Sequence, residues 1–124
     1  MKKAILISLC SVLLLAMAAC SKKGADETTP IEQIKAAAEK MDTTQLRSMA
    51  LRYKEAIAEK QTDLAAISER IKAIDPAELL GQRATQLKAE LASVEKSIDA
   101  LTERFKIYID QLKAKAGDLT GLEL

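Results

Sequence analysis

Residues 46–74 read LRSMALRYKEAIAEKQTDLAAISERIKAI, and after Asp75-Pro76 residues 77–112 continue as AELLGQRATQLKAELASVEKSIDALTERFKIYIDQL. Apolar side chains recur in alternating steps of three and four on both sides of the proline. On the first side they fall at 46, 50, 53, 57, 64, 67, 71 and 74, with Lys60 the one polar residue in step. On the second they fall at 80, 84, 87, 91, 94, 98, 101, 105, 108 and 112 without a break. A mean spacing of 3.5 sustained over four heptads keeps one stripe of a helix turned towards a partner, which is the pattern of a coiled-coil seam. If the chain reverses sharply at Asp75-Pro76, Ile71 meets Leu80, Leu64 meets Leu87 and Tyr53 meets Ile98, so seam faces seam throughout. The expected fold is therefore all-α: a long antiparallel coiled-coil helical hairpin, with Asp75 and Pro76 as its turn.

Local signals set the helix limits. Thr29-Pro30-Ile31-Glu32 offers a capping residue, a proline at the first helical position and an early acid. Asp42-Thr43-Thr44-Gln45 has capping-box spacing. Asp75 precedes a proline, which disfavours helical geometry at the aspartate. Helices are expected over about 30–41, 43–74 and 76–115, with Gly117 as the stop and 117–124 as a loose C-terminal tail. Ile107 and Ile109 widen the apolar stripe around Phe105, Tyr108 and Leu112, beyond the reach of the helix from 43. The short helix, with Ile31, Ile34, Ala38 and Met41 on one face, is expected to pack there, at the base of the hairpin. Lys60 can lay its stem along the seam and keep its ammonium in water.

Composition agrees with a helical rod. Charged residues are 30% and aromatic residues only 2% of the 124, so no ordinary aromatic core is available. There is no histidine, and both cysteines, Cys10 and Cys20, lie in the first twenty residues. Those twenty begin with Lys2 and Lys3, continue in an apolar run to Met17, and end in Ala18-Ala19-Cys20 before Ser21-Lys22-Lys23. The run is shorter than the ~20 apolar residues a bilayer-spanning helix needs and has the layout of an export signal.

The Ala18-Ala19-Cys20 junction resembles the lipobox of bacterial lipoproteins, which are cut before the cysteine by signal peptidase II. Met17 stands where that family commonly has leucine, and Cys10 does not fit because Leu9 precedes it. The resemblance covers about the first sixth of the chain. It implies a signal peptide at 1–19, cleavage between Ala19 and Cys20, and diacylglycerol with an acyl chain such as palmitate on Cys20. Residues 20–29 would then form a flexible tether, with 30–116 as the helical domain. It also implies a lipid-anchored envelope protein. Ser21 lacks the aspartate of the enteric retention signal, which favours the periplasmic face of the outer membrane over the inner membrane.

Loss of Lys2 and Lys3 takes 19 basic residues to 17, against 18 acidic ones. That balance offers no field for nucleic acid or anionic lipid. Without histidine or a free mature cysteine, the common zinc sites and the Ser-His-Asp and Cys-His arrangements are out of reach. No catalytic residue, metal site or cofactor is expected beyond the lipid on Cys20. Ala58, Ala65, Ala66 and Ala73 form a small-residue band that would let a partner helix approach closely. The expected role is non-enzymatic: a membrane-tethered interaction, scaffold or adaptor module meeting an envelope protein or a second copy of itself. The alternatives are an inhibitor or regulatory subunit of an envelope enzyme, or a carrier of an apolar ligand near 105–112.

Overall fold

The structure, a computed structural model, describes residues 25–124. The expected signal peptide, the Ala19–Cys20 junction and the lipidation site lie outside the described residues. Within them the chain is all-helical: α1 (Ile31–Glu39), α2 (Thr43–Lys72), a single 3-10 turn (Pro76–Glu78) and α3 (Gln82–Ala114). α2 and α3 pack closely, and α1 packs on α3.

The caps explain the limits. α2 begins with the expected capping box: Gln45 N–H donates to Asp42 Oδ1 at 2.8 Å, and Asp42 N–H donates to Gln45 Oε1 at 3.0 Å. α1 is shorter than expected at both ends. Thr29 does not cap it, because the Thr29 hydroxyl donates to the Asp26 carboxylate. The Pro30 carbonyl instead accepts from Gln33 and Ile34 N–H, at 3.0 and 3.2 Å. At the far end Lys40 and Met41 N–H donate three residues back, closing α1 with a tightened turn.

The reversal differs from the sequence expectation. Pro76 does not open the third long helix. Asp75 Oδ1 accepts from Ala77 N–H at 2.9 Å, and only the 3-10 turn follows. A second start occurs at Gly81, which is extended and caps α3. Glycine inside a helix costs about 1 kcal/mol relative to alanine, whereas at an N-cap it is well tolerated. Starting α3 after Gly81 therefore removes a defect that a helix from Pro76 would carry.

The longer link also moves the register. Arg70 lies 3.5 Å from Glu90, where a tight turn at Asp75-Pro76 would put Gly81. The Tyr53 and Tyr108 rings have centroids 5.4 Å apart and planes inclined by 32°, where the tight turn would have paired Tyr53 with Ile98. Partner numbers in α3 rise as those in α2 fall. Leu80, expected to pair with Ile71, is 97% exposed. Ile74 instead packs with Ala84 and Leu87 in a small distal cluster that includes Ile67.

The main cluster lies at the other end. Ile34 and Ala38 of α1 join Leu46, Tyr53, Phe105 and Tyr108, among others, so α1 covers the widened end of α3. Between the clusters Lys60, Leu64 and Ile98 are only half-buried, as are Leu91 and Val94 against the distal cluster.

Residues 117–124 are not loose. Leu122 is buried in the main cluster and Leu119 packs against it. Arg47 donates to the Asp118 and Thr120 carbonyls at 2.8 and 2.6 Å, and Lys54 donates to the Gly121 and Glu123 carbonyls. The tail is turned back by a Schellman motif: Gly117 N–H donates to Leu112 O at 2.8 Å and Ala116 N–H to Lys113 O at 3.0 Å. The left-handed residue is Ala116, with φ 52°, and not Gly117. Gly117 is needed for a different reason, since a Cβ there would collide with the side chain of Leu112, which is fully buried.

Gly117→Ala should therefore destabilise the fold by about 1–3 kcal/mol through overpacking. Ala116→Gly should stabilise it by roughly 0.5–1 kcal/mol, the left-handed strain relieved less the entropy glycine adds. Urea midpoints of the two variants should move in opposite directions; a shared direction would contradict this account of the turn.

Candidate functional site

The four alanines singled out by sequence, Ala58, Ala65, Ala66 and Ala73, are all exposed. Ala66 lies on the rim of an open cleft between α2 and α3 that also touches Ile67, Arg70, Glu90 and Val94. Asp75 and Pro76 lie in the link between α2 and α3, beside the exposed Leu79 and Leu80. A shallow cleft of about 230 Å³ lies at the other end, lined by Ile109, Lys113, Leu119, Leu122 and Glu123. It is smaller than the ~300–1,000 Å³ of ordinary ligand pockets. Among the described residues no group of three or more acidic or cysteine side chains is gathered to hold a metal ion. No helix among them is long and apolar enough to cross a membrane.

The densest polar construction is one the sequence reading missed. Residues 25–29, expected to belong to the flexible tether, are docked on the α2–α3 pair. Asp26 folds the segment on itself: its Oδ1 accepts from Thr28 N–H and the Thr28 hydroxyl, both at 2.7 Å, and its Oδ2 accepts from Thr29 N–H at 3.2 Å and from the Thr29 hydroxyl. Two side chains then pin the segment by its carbonyls. The Tyr53 hydroxyl donates to Asp26 O at 2.9 Å, and Arg104 Nη2 donates to Thr29 O at 2.8 Å. Ala25 packs against the main cluster.

Arg104 is the unusual member. It is 7% exposed and, among the described residues, makes no ion pair; its Nη1 donates to Ala100 O in its own helix at 2.9 Å, and its Nε is buried without a partner among them. Burying a guanidinium among carbonyls is costly, and Thr29 O is the hydrogen-bond partner it reaches outside α3. A sequence signal existed: Arg104 shares the broadened apolar face with Leu101, Phe105 and Tyr108. An arginine there must either reach water or find buried acceptors.

The electrostatics suit holding, not proton exchange. The Thr29 hydroxyl, followed by Thr28 N–H, keeps the Asp26 carboxyl well below the usual carboxylate range. Burial, with the neighbouring Tyr108 second, pushes the Tyr53 hydroxyl up to about 12. Burial likewise raises Tyr108. Through neutral pH the aspartate stays charged and Tyr53 stays a donor, so this strap does not change its bonding there. No family model, curated protein or solved structure matches the chain.

Because the folded Asp26 binds its proton less readily than the ordinary value of 3.8, its contribution is fully present above that value. It is lost as pH falls below 3.8 towards the folded pKa. Urea midpoints measured from pH 6 to pH 3 should show a drop below about pH 4 in the native protein. Asp26→Asn should be less stable at pH 6 and show a shallower drop; parallel pH profiles would mean that the Asp26 carboxylate contributes nothing to the fold.

Proposed function

We propose that this protein is a lipid-anchored, non-enzymatic lipoprotein of the bacterial envelope that acts as a helical interaction, scaffold or adaptor module. In this reading the chain is cut before Cys20, lipid on that cysteine holds it to a membrane, and α2 and α3 form an antiparallel coiled-coil hairpin with α1 packed at its base. The observation that carries it is an asymmetry of burial along the rod. At the α1 end two extra segments, α1 and the C-terminal tail, seal the apolar surface. At the other end only α2 and α3 meet, Leu64, Leu91 and Val94 stay half-buried, and Leu79 and Leu80 stand 40% and 97% exposed beside the turn. Two adjacent exposed leucines at the tip of a rod whose tether leaves nearer its other end support a contact made at a distance from the membrane. The alanine band on α2, exposed throughout, would widen that contact.

Two measurements test this. Intact mass of the native protein should show cleavage before Cys20 and acyl groups on it, both lost in Cys20→Ser; an unmodified Cys20 thiol would end the lipoprotein reading. A photo-crosslinking residue at Leu80 should capture a discrete protein in the native envelope, and Leu80→Ser should abolish that adduct. Because Leu80 touches almost nothing, the serine variant should stay within about 0.5 kcal/mol of the parent in stability. Absence of any adduct from Leu80 and from the alanine band would refute the interaction reading.

A further inference from the structure

The strap formed by residues 25–29 meets the rod part-way along its length, not at its end. Thr29 is pinned beside Arg104 and Asp26 beside Tyr53. α1 then runs alongside α3 from that level to the end, where Lys115 Nζ donates to the Glu39 and Met41 carbonyls. Helical rise puts Arg104 about 15 Å from the end of α3 at Ala114 and about 33 Å from its start at Gln82. Covalent geometry lets the six residue steps from Cys20 to Asp26 span at most about 20–22 Å.

We infer that the contacts of Tyr53 and Arg104 with residues 25–29 act as a ruler against the lipid surface, keeping the α1 end of the rod at the bilayer and the Pro76–Glu78 tip away from it. The inference rests on the lipid-anchor reading. A lipid on Cys20 can reach the bilayer past the α1 end, about 15 Å from the strap, but not past the tip, about 33 Å away. A rod lying flat would need a basic or apolar flank to hold it down. With 17 basic and 18 acidic residues after Lys3, the chain has no net basic excess to draw it flat onto an anionic surface. Releasing the strap would free the chain as far as Ile31, eleven steps from Cys20, and lengthen its reach to roughly 36–40 Å. The α1 end would then no longer be held, and the tip would come within range. Arg104 is accordingly a positioning residue: its Nη2 has Thr29 O as its partner outside α3, a bond made only while the strap is docked.

The experiment uses the acylated, full-length mature protein in vesicles of phosphatidylethanolamine and phosphatidylglycerol carrying nitroxide-labelled headgroups. With Cys20 blocked by its lipid, a cysteine introduced at Ala77 (tip) or Lys113 (α1 end) takes a single fluorophore, and mass measurement confirms the acyl groups beforehand. Quenching should be strong at 113 and weak at 77. The Tyr53→Phe, Arg104→Gln double variant, checked for unchanged helical content, should lose at least half of the quenching at 113, with exchange at the amides of 27–31 raised several-fold. A second variant with six Gly/Ser residues inserted between Lys23 and Gly24 keeps the strap but lengthens the tether, and should lose quenching at 113 with unchanged exchange at 27–31. Strong quenching at 77 in the parent protein overturns the proposal, as does quenching at 113 that neither variant alters. Missing acyl groups would instead refute the lipid-anchor reading, on which the ruler rests.

Discussion

Two helices packed together can bury only one stripe of each, and everything else in this molecule follows from how that shortage is met. A seam one stripe wide leaves its flanks wet and stabilises little beyond the entropy it must offset. At the end where α3 carries Phe105, Ile107, Tyr108 and Leu112, the shortage is met by recruiting short pieces of chain. α1 lays Ile34 and Ala38 on one side, the tail inserts Leu122, and Ala25 closes a gap. None of these pieces has enough apolar surface to fold alone. Each is instead tied by a few directed bonds from long side chains: Arg47 and Lys54 to the tail, Lys115 to the link after α1, Tyr53 and Arg104 to the strap. The ties all run from a side-chain donor to a backbone carbonyl. Such segments, outside regular structure, have carbonyls to spare, and satisfying them is what lets the chain lie against an apolar surface.

The helices were legible because their signals are local and repeated. The α2 capping box and the 3.5-residue spacing each concern neighbours in sequence. The register was not legible, for a reason contained in the same pattern. A stripe repeating every three and four residues matches itself in full after a slip of seven and in half of its layers after a slip of three or four. Tyr53 opposite Ile98 and Tyr53 opposite Tyr108 are both seam-to-seam pairs, but a shift of ten keeps only half of the layers seam-to-seam, so seam matching favoured the tight turn. The length of the link makes the choice instead. Its length depends on whether the helix starts at Pro76 or after Gly81, and the proline was the stronger sequence signal but the wrong one. Gly81 carried the contrary information, since a helix opening at Pro76 would have held glycine in its second turn.

The strap and the tail escaped for a different reason. Both are too short to show a period, and both are fastened by contacts between residues far apart in sequence, such as Arg47 with Thr120 or Arg104 with Thr29. Polar composition alone made 25–29 look like tether, yet Asp26 and the two threonines are spent on bonding one another, which gives a compact turn instead of a solvated coil. Ala116 shows how far the tail's docking dominates local preference. A residue with a Cβ occupies the left-handed position while the neighbouring glycine is taken by a close approach to Leu112. The sequence pointed to Gly117 as the helix stop, but nothing local revealed that Leu112 would fill the space beside it.

The uneven burial also divides the rod mechanically. Opening of a region is resisted by the apolar contacts that must be broken, so the sealed end and the two-helix end differ in how readily they move. The half-buried layer holding Lys60, Leu64 and Ile98 separates the main cluster from the small one at Ile67, Ile74, Ala84 and Leu87. Lys60 keeps that layer from drying fully, because its ammonium must reach water. Bending or fraying of the distal half therefore costs few of the contacts that hold α1, the strap and the tail. The Leu79–Leu80 tip can move while the strapped end keeps its geometry.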